Sequence, residues 1–191
     1  SSSDVFHLSE MPRRIAIVGG GYIAVEFAGI FNGLGAETTL LYRGEQILRN
    51  FDDDVRDHLA VEIVKKGIDL RVGTNVTNIE KSDDGLTLSL TDGSTLNVDA
   101  VMFGTGRHAN VDGLGLEKVG VERNAKGGVV VDEYSRTTAD NIYAIGDVTN
   151  RIELTPVALM EGMALARTLY AGEPTSPDHK NVAHAVFSQP S

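Results

Sequence analysis

Nothing constrains this chain more than Ile15-Ala16-Ile17-Val18 running straight into Gly19-Gly20-Gly21. A β-branched run of that length reads as a buried strand, and consecutive glycines end it abruptly. Helical periodicity starts at once, with Ile23, Phe27, Ile30, Phe31 and Leu34 on one predicted stripe. Strand, tight turn and helix in immediate succession bring a bare stretch of backbone close to whatever lies at the turn. Written as Gly19-x-Gly21-x-x-Ala24, the turn matches the dinucleotide fingerprint. In that pattern the first glycine makes the turn, the second admits a pyrophosphate, and the third position packs helix on strand. The helix N-terminus adds unpaired N–H groups and a positive dipole end.

Alone, the pattern fits equally a tight strand-to-helix turn with no ligand. Its surroundings favour the nucleotide. A second strand, Glu37 to Tyr42, follows the break Gly33-Leu34-Gly35 and completes a βαβ unit of the required length. NAD-binding units place an acidic residue at the end of that strand to accept ribose hydroxyls. Here the place holds Arg43, with Arg49 a short loop further on. Guanidinium groups there suit a 2′-phosphate through forked, charge-assisted hydrogen bonds, which reads as NADPH over NADH. As isolated charges, the same arginines would be solvated loop residues. Glu45, between them, is an alternative ribose partner, whereas Glu37 stands at the wrong end of the strand.

The 191 residues are enough for one good core or two small ones. A formal charge of −10, with no basic run longer than a pair, argues against nucleic acid and against an anionic membrane surface. No apolar run approaches the roughly 18–20 residues of a membrane span. Ser1-Ser2-Ser3-Asp4 resembles neither a signal nor a transit peptide, and cytoplasmic residence fits. Cysteine is absent, so these residues hold no disulfide framework, thiolate nucleophile or thiolate metal site.

Further along, Val55, Leu59, Ile63 and Val64 recur at helical spacing behind Asp52-Asp53-Asp54 and ahead of Lys65-Lys66-Gly67. The aspartates read as a cap and dipole complement rather than a metal cluster, and the glycine as a C-terminal stop. Asp69 to Val72 is the predicted third strand. Val76 to Glu80, Leu86 to Leu90 and Thr95 to Val98 alternate, separated by turn sequences, and predict an antiparallel meander in place of a crossover helix. Ala100 to Phe103 is a buried strand leading into Gly104-Thr105-Gly106-Arg107. There Gly106 permits close backbone approach, and Arg107 either holds cofactor phosphate or caps a turn. Beyond residue 108 the chain is irregular and glycine-rich, with strands predicted at Val129–Val131 and Ile142–Ile145. The latter ends in Gly146-Asp147, a sheet-edge ligand position or an Asx turn. Thr155-Pro156 opens a helix with Leu159, Met163, Ala166 and Leu169 on one face, and Val182 to Phe187 begins another strand. The expected class is α/β: a Rossmann-like doubly wound parallel sheet with an antiparallel β-meander, plus part of a second α/β domain.

Several of these stretches, in this order, carry a resemblance. They are Gly19-Gly20-Gly21-Tyr22-Ile23-Ala24-Val25-Glu26, Tyr42-Arg43 with Ile47-Leu48-Arg49, and Gly104-Thr105-Gly106-Arg107. Thr137 to Asp147, Glu153 to Ala158 and Ala185 to Pro190 complete the set. Together the chain resembles the FAD-dependent pyridine nucleotide–disulfide oxidoreductases, most of all their glutathione-reducing members. The resemblance implies an NADPH-binding domain at 12–107 and the later part of an FAD-binding domain at 108–191, leading into a dimerisation domain. It implies that Gly19, Gly21 and Ala24, with Ile23, bind the NADP(H) pyrophosphate and that Arg43 and Arg49 take the 2′-phosphate. Tyr22 would cover the nicotinamide pocket, and Glu26 would lie near the nicotinamide and pair with a lysine beside the flavin. Asp147 would hold the ribityl chain of FAD, and the backbone around Leu154 and Thr155 would meet the isoalloxazine; Gly106, Arg107 and Gly146 are further cofactor-binding candidates.

The same family carries an FAD-binding Gly-x-Gly-x-x-Gly, a Cys-x-x-x-x-Cys pair and a His-x-x-x-x-Glu motif, none of which is present. The expectation is therefore an internal fragment, without catalytic residues of its own, of a homodimeric reductase. In that parent, hydride passes from NADPH to FAD, and electrons continue to a cysteine pair and to glutathione disulfide. Trypanothione as the disulfide, or a stand-alone NADPH-binding module, are the alternatives. The piece by itself is expected to bind NADPH weakly or moderately and FAD poorly, and to aggregate through its flavin-facing surface.

Overall fold

The computed structural model describes residues 1–189, which divide into two compact units. The first comprises residues 1–106 together with the described residues from Ala185 to Gln189. After a short helical turn, α1 (Ser2–Val5), it builds β1 (Arg14–Val18), α2 (Tyr22–Gly33) and β2 (Glu37–Leu41). Next come α3 (Asp53–Lys65), β3 (Asp69–Arg71), the meander β4 (Val76–Ser82), β5 (Gly85–Leu90) and β6 (Thr95–Val98), and finally β7 (Ala100–Phe103). The parallel sheet runs β3-β2-β1-β7, with Ile15 paired to both Thr38 and Ala100 and Leu40 to Leu70. The meander forms its own antiparallel sheet, β4-β5-β6.

Period-two alternation sorts the strands between two cores. Ile15, Ile17, Leu40 and Met102 face the helices, against Ala24, Val25, Ala28 and Phe31 of α2 and Leu59 and Ile63 of α3. Ala16, Val18 and Leu41 face Leu88, Leu90 and Val98 of the meander. A sheet covered on both faces needs apolar side chains at successive positions, which is why β1 reads as an unbroken hydrophobic run. β1 ends at the centre of this sheet, so the glycine turn emerges at its carboxyl edge.

Two helix stripes differ from expectation. In α2, Ile30 and Leu34 are exposed, and the buried face is Ala24, Val25, Ala28, Gly29 and Phe31. The helix is apolar nearly all round, and close approach to the sheet selects its small side chains. In α3, Leu59 and Ile63 are buried as expected, whereas Val55 and Val64 are exposed. Its ends follow expectation: Asp52 accepts the Asp54 N–H at 3.0 Å, and Gly67 leaves the helix with φ +98°.

At the opposite edge from the glycine turn, Arg14 ties β1 to the start of β7. Asp99 accepts the Arg14 side chain at 2.6 Å and its backbone N–H at 2.8 Å. Those bonds, the side-chain one foremost, hold the Asp99 carboxyl below its usual 3.8. A carboxylate lowered by folding adds stability above its usual value and loses it as pH falls through the folded value. Asp99→Asn should therefore lower the urea midpoint at pH 7, and the gap from the unmodified chain should close as the pH falls below 3.8.

The second unit, residues 107–184, gathers Ala109, Val111, Val121 and Val129 into a small core. Here the expected strands at 129–131 and 142–145 are not formed. Val129 makes a single bridge to Arg123, and Tyr143 a single bridge to Arg136. β-branched residues favour extended backbone, but a strand also needs a ladder partner along its length. The helix α4 (Thr155–Ala166) is as expected, with Pro156 in its first turn, and continues into a π-helical turn, Arg167–Ala171. Its buried face is Val157, Glu161 and Ala164, while Leu159, Met163, Ala166 and Leu169 are exposed, the reverse of the expected orientation. Apolar residues surround α4, so periodicity could not single out a face. Residues 182–187 also form no strand; among the described residues near the end of the chain, the Phe187 N–H bonds the Glu26 carboxylate at 2.9 Å.

Candidate functional site

The three glycines after β1 differ in what surrounds them. Gly19 has φ +146°, and a Cβ on it would drive into the Gly104 carbonyl where β7 ends. At Gly20 a Cβ would sit 2.5 Å from the Tyr42 ring, which also covers Gly44. Gly21 is otherwise: its φ of −84° and ψ of 173° suit any residue, and a Cβ there meets no protein atom within 4 Å. Neither backbone nor packing requires a glycine at this position, and the space beside it is open. Ala24, fully buried, packs beside Gly19 and Gly104 and sets how closely α2 approaches the sheet.

Gly21 is the N-cap of α2, which has no side-chain cap and no acidic residue in its first turn. In α3 of the same unit, Asp52 caps and Asp53 and Asp54 follow. Two helices of nearly equal length thus treat their positive ends differently: one is neutralised by its own carboxylates, and the other has no carboxylate of its own in its first turn.

Arg43 and Arg49 stand on the loop that leaves β2. Both are exposed, and neither has a hydrogen bond or ion pair among the described residues. The loop itself is fixed. Ile47 and Leu48 are buried, and the Leu48 N–H bonds the Gly20 carbonyl at 2.6 Å. The glycine turn and the arginine loop are therefore one hydrogen-bonded assembly. Tyr22 is half-buried at the start of α2, as is Ile23. Glu26, one turn on, holds the backbone of Phe187.

In the second unit, Arg107 binds Asp147 at 3.0 Å and Glu153 at 3.1 Å, and donates to the Glu153 carbonyl at 2.8 Å. Half of the Asp147 side-chain surface remains exposed. Gly106, the last residue of the first unit, has φ +136° and open space around it. Gly146 has φ +68° and opens the 3₁₀ turn Gly146–Thr149 that carries Asp147. Leu154 is the N-cap of α4, which, like α2, has neither a side-chain cap nor an acid in its first turn, Thr155 being its first residue.

One residue here escaped the sequence. Glu161 is 1% exposed, accepts the Gly146 N–H at 2.5 Å and pairs with His179 at 2.7 Å. A glutamate at helical spacing among apolar residues gives no sign that it is inward-facing. Glu161→Ala would leave a buried N–H and the imidazole without their acceptor, and should cost the second unit about 3 kcal/mol. Loss of hydrogen-exchange protection at the Gly146 amide checks this.

The pyridine nucleotide–disulphide oxidoreductase family profile matches residues 1–162. The chain is 55% identical over 190 residues to glutathione reductase of Burkholderia cepacia, spanning 100% of this chain and 42% of that protein. It is 48% identical over 194 residues to trypanothione reductase of Trypanosoma congolense, 100% of this chain and 39% of that one. Among solved structures it superimposes on the HOCl-induced flavoprotein disulfide reductase RclA from Escherichia coli with a TM-score of 0.92 and 33% identity, over 99% of this chain and 43% of RclA. The chain thus spans about two fifths of the length of these relatives. A central parallel sheet, a glycine turn opening an uncapped helix, and a profile matched across most of its length together establish that this chain belongs to the pyridine nucleotide–disulphide oxidoreductases.

Proposed function

We propose that this chain supplies the NADPH-binding domain, residues 12–107, and the later part of the FAD-binding domain, residues 108–191, of a homodimeric, NADPH-dependent disulfide reductase. The disulfide of the whole protein is glutathione disulfide, a choice that follows the higher identity to a glutathione reductase than to a trypanothione reductase. Pro190 and Ser191 lie outside the described residues.

The observation that carries the reading is the pair of arginines, without a partner among the described residues, on a loop pinned to an open glycine turn. The residues present fit the nucleotide. Gly21 leaves room for a pyrophosphate, the positive end of α2 would face it, and Gly19 and Ala24 keep helix and strand close enough to hold that geometry. Arg43 and Arg49 neutralise the 2′-phosphate. Tyr22 shields the nicotinamide end, and Glu26 lies beside it. For the flavin, Asp147 would receive ribityl hydroxyls while Arg107 fixes its carboxylate, Gly146 would permit close backbone approach, and Leu154 and Thr155 would present the uncapped end of α4. When bound, the flavin accepts hydride from the nicotinamide. The residues of this chain bind, orient and place charge. With no cysteine among the 191 residues, thiol–disulfide exchange belongs to other parts of the enzyme.

Calorimetric titration with NADPH and with NADH tests the reading. NADPH should bind more tightly, and Arg43→Glu should reduce that preference by roughly 10- to 100-fold, through lost attraction and added repulsion. Equal affinities in the unmodified chain would refute it.

A further inference from the structure

Arg43 and Arg49 do nothing to hold their own loop, and the loop is not relaxed. Leu48 has φ +54° and Asn50 φ +80°, on either side of Arg49. A branched apolar residue in the left-handed region persists only where its surroundings over-determine it. Part of that constraint is the Leu48 bond to Gly20. The rest comes from the first turns of α3. Arg56 donates from Nε to the Ile47 carbonyl at 2.8 Å and from Nη2 to the Gln46 carbonyl at 3.2 Å, while Nη1 binds Asp53 at 2.5 Å. Next to it, Asp57 accepts the Gln46 amide at 2.7 Å, and the Gln46 side-chain oxygen accepts the Ile47 N–H at 3.0 Å. α3 is seated on the core through Leu59 and Ile63, so this fork is mounted on a rigid element.

We propose that Arg56 is a positioning residue for 2′-phosphate recognition: its guanidinium clamps the carbonyls of Gln46 and Ile47 so that Arg43 and Arg49 are presented in a fixed arrangement. The proposal rests on the NADPH reading above. All three guanidinium nitrogens of Arg56 are committed to protein, so its influence passes through the loop and not through contact with the nucleotide. Without the fork, Leu48 is free to relax to negative φ, and Arg49, the next residue, turns with it. Lysine keeps the charge but cannot bond two successive carbonyls and a carboxylate in one plane.

The test titrates the chain and its Arg56→Lys variant with 2′,5′-ADP and with 5′-AMP, which differ only in the 2′-phosphate. Arg56→Lys should weaken 2′,5′-ADP roughly fivefold or more while 5′-AMP stays within about twofold. In a background lacking both phosphate ligands, Arg43→Met with Arg49→Met, the same substitution should change 2′,5′-ADP binding by less than about twofold, because Arg56 acts only through them. An unchanged ratio of the two affinities overturns the proposal, as does equal weakening of both ligands or a loss that persists without Arg43 and Arg49. Should Arg56→Lys fail to fold, Asp57→Ala, which frees Gln46 from the same platform, carries the same expectation and the same refutation. No preference for 2′,5′-ADP in the unmodified chain would refute the NADPH reading itself; a preference that survives Arg56→Lys undiminished refutes only the role of Arg56.

Discussion

Gly21→Asp should leave the chain folded and remove its affinity for NADPH. The backbone at Gly21 is already in the extended conformation that an N-cap aspartate adopts, and its Cβ would enter open space. Aspartate is a strong N-cap, accepting an N–H of the first turn and complementing the dipole, so stability should hold or rise by about 0.5–1 kcal/mol. That same carboxylate would take the N–H groups a pyrophosphate needs and place a negative charge against it. A loss of more than about 100-fold in NADPH affinity is expected, by the energetics of charge-assisted bonds replaced by repulsion. Thermal melts and calorimetry on one preparation check both halves. A destabilised variant, or one that still binds, would mean that Gly21 serves the protein and not a ligand.

Gly19→Ala should do the opposite, striking the fold before it strikes binding. Its φ of +146° is one that L side chains rarely adopt, and the added methyl would meet the backbone of Gly104 rather than a side chain able to move aside. The Gly104 N–H is bonded to the Val18 carbonyl at 2.8 Å and the Gly19 N–H to the Leu41 carbonyl at 2.9 Å. Neither strand end can shift without breaking the sheet, so a cost of about 3–5 kcal/mol is expected, combining strain with overpacking. Urea denaturation followed by circular dichroism reads it directly. Two glycines two residues apart are thus expected to separate, Gly19→Ala acting on the fold and Gly21→Asp on nucleotide binding.

Much of this was legible in the residues because local patterns dictate it. Ile15 to Val18 must be a central strand, the meander turns carry Asp-Gly pairs, and Asp52 and Gly67 bracket α3 as their chemistry requires. What periodicity could not reveal was which side of an all-round apolar helix faces the core. In α2 the answer depends on Gly104 and the close approach of the sheet, and in α4 on a buried glutamate partnered by His179, eighteen residues away. Val129–Val131 and Ile142–Ile145 failed as strands for a related reason, since propensity does not supply a neighbour to bond with. The site divided in the same way. Gly19, Gly21, Arg43 and Arg49 stand out by residue type and spacing, whereas Arg56 and Glu161 act through backbone bonds that no motif records.

A crystal structure of this chain with NADPH bound is the most direct measurement. The pyrophosphate should lie over Gly21 against the N–H groups that open α2, with 2′-phosphate oxygens about 2.7–3.2 Å from guanidinium nitrogens of both Arg43 and Arg49. A nucleotide seated elsewhere, or a 2′-phosphate left in solvent with the two arginines turned away, would contradict the assignment.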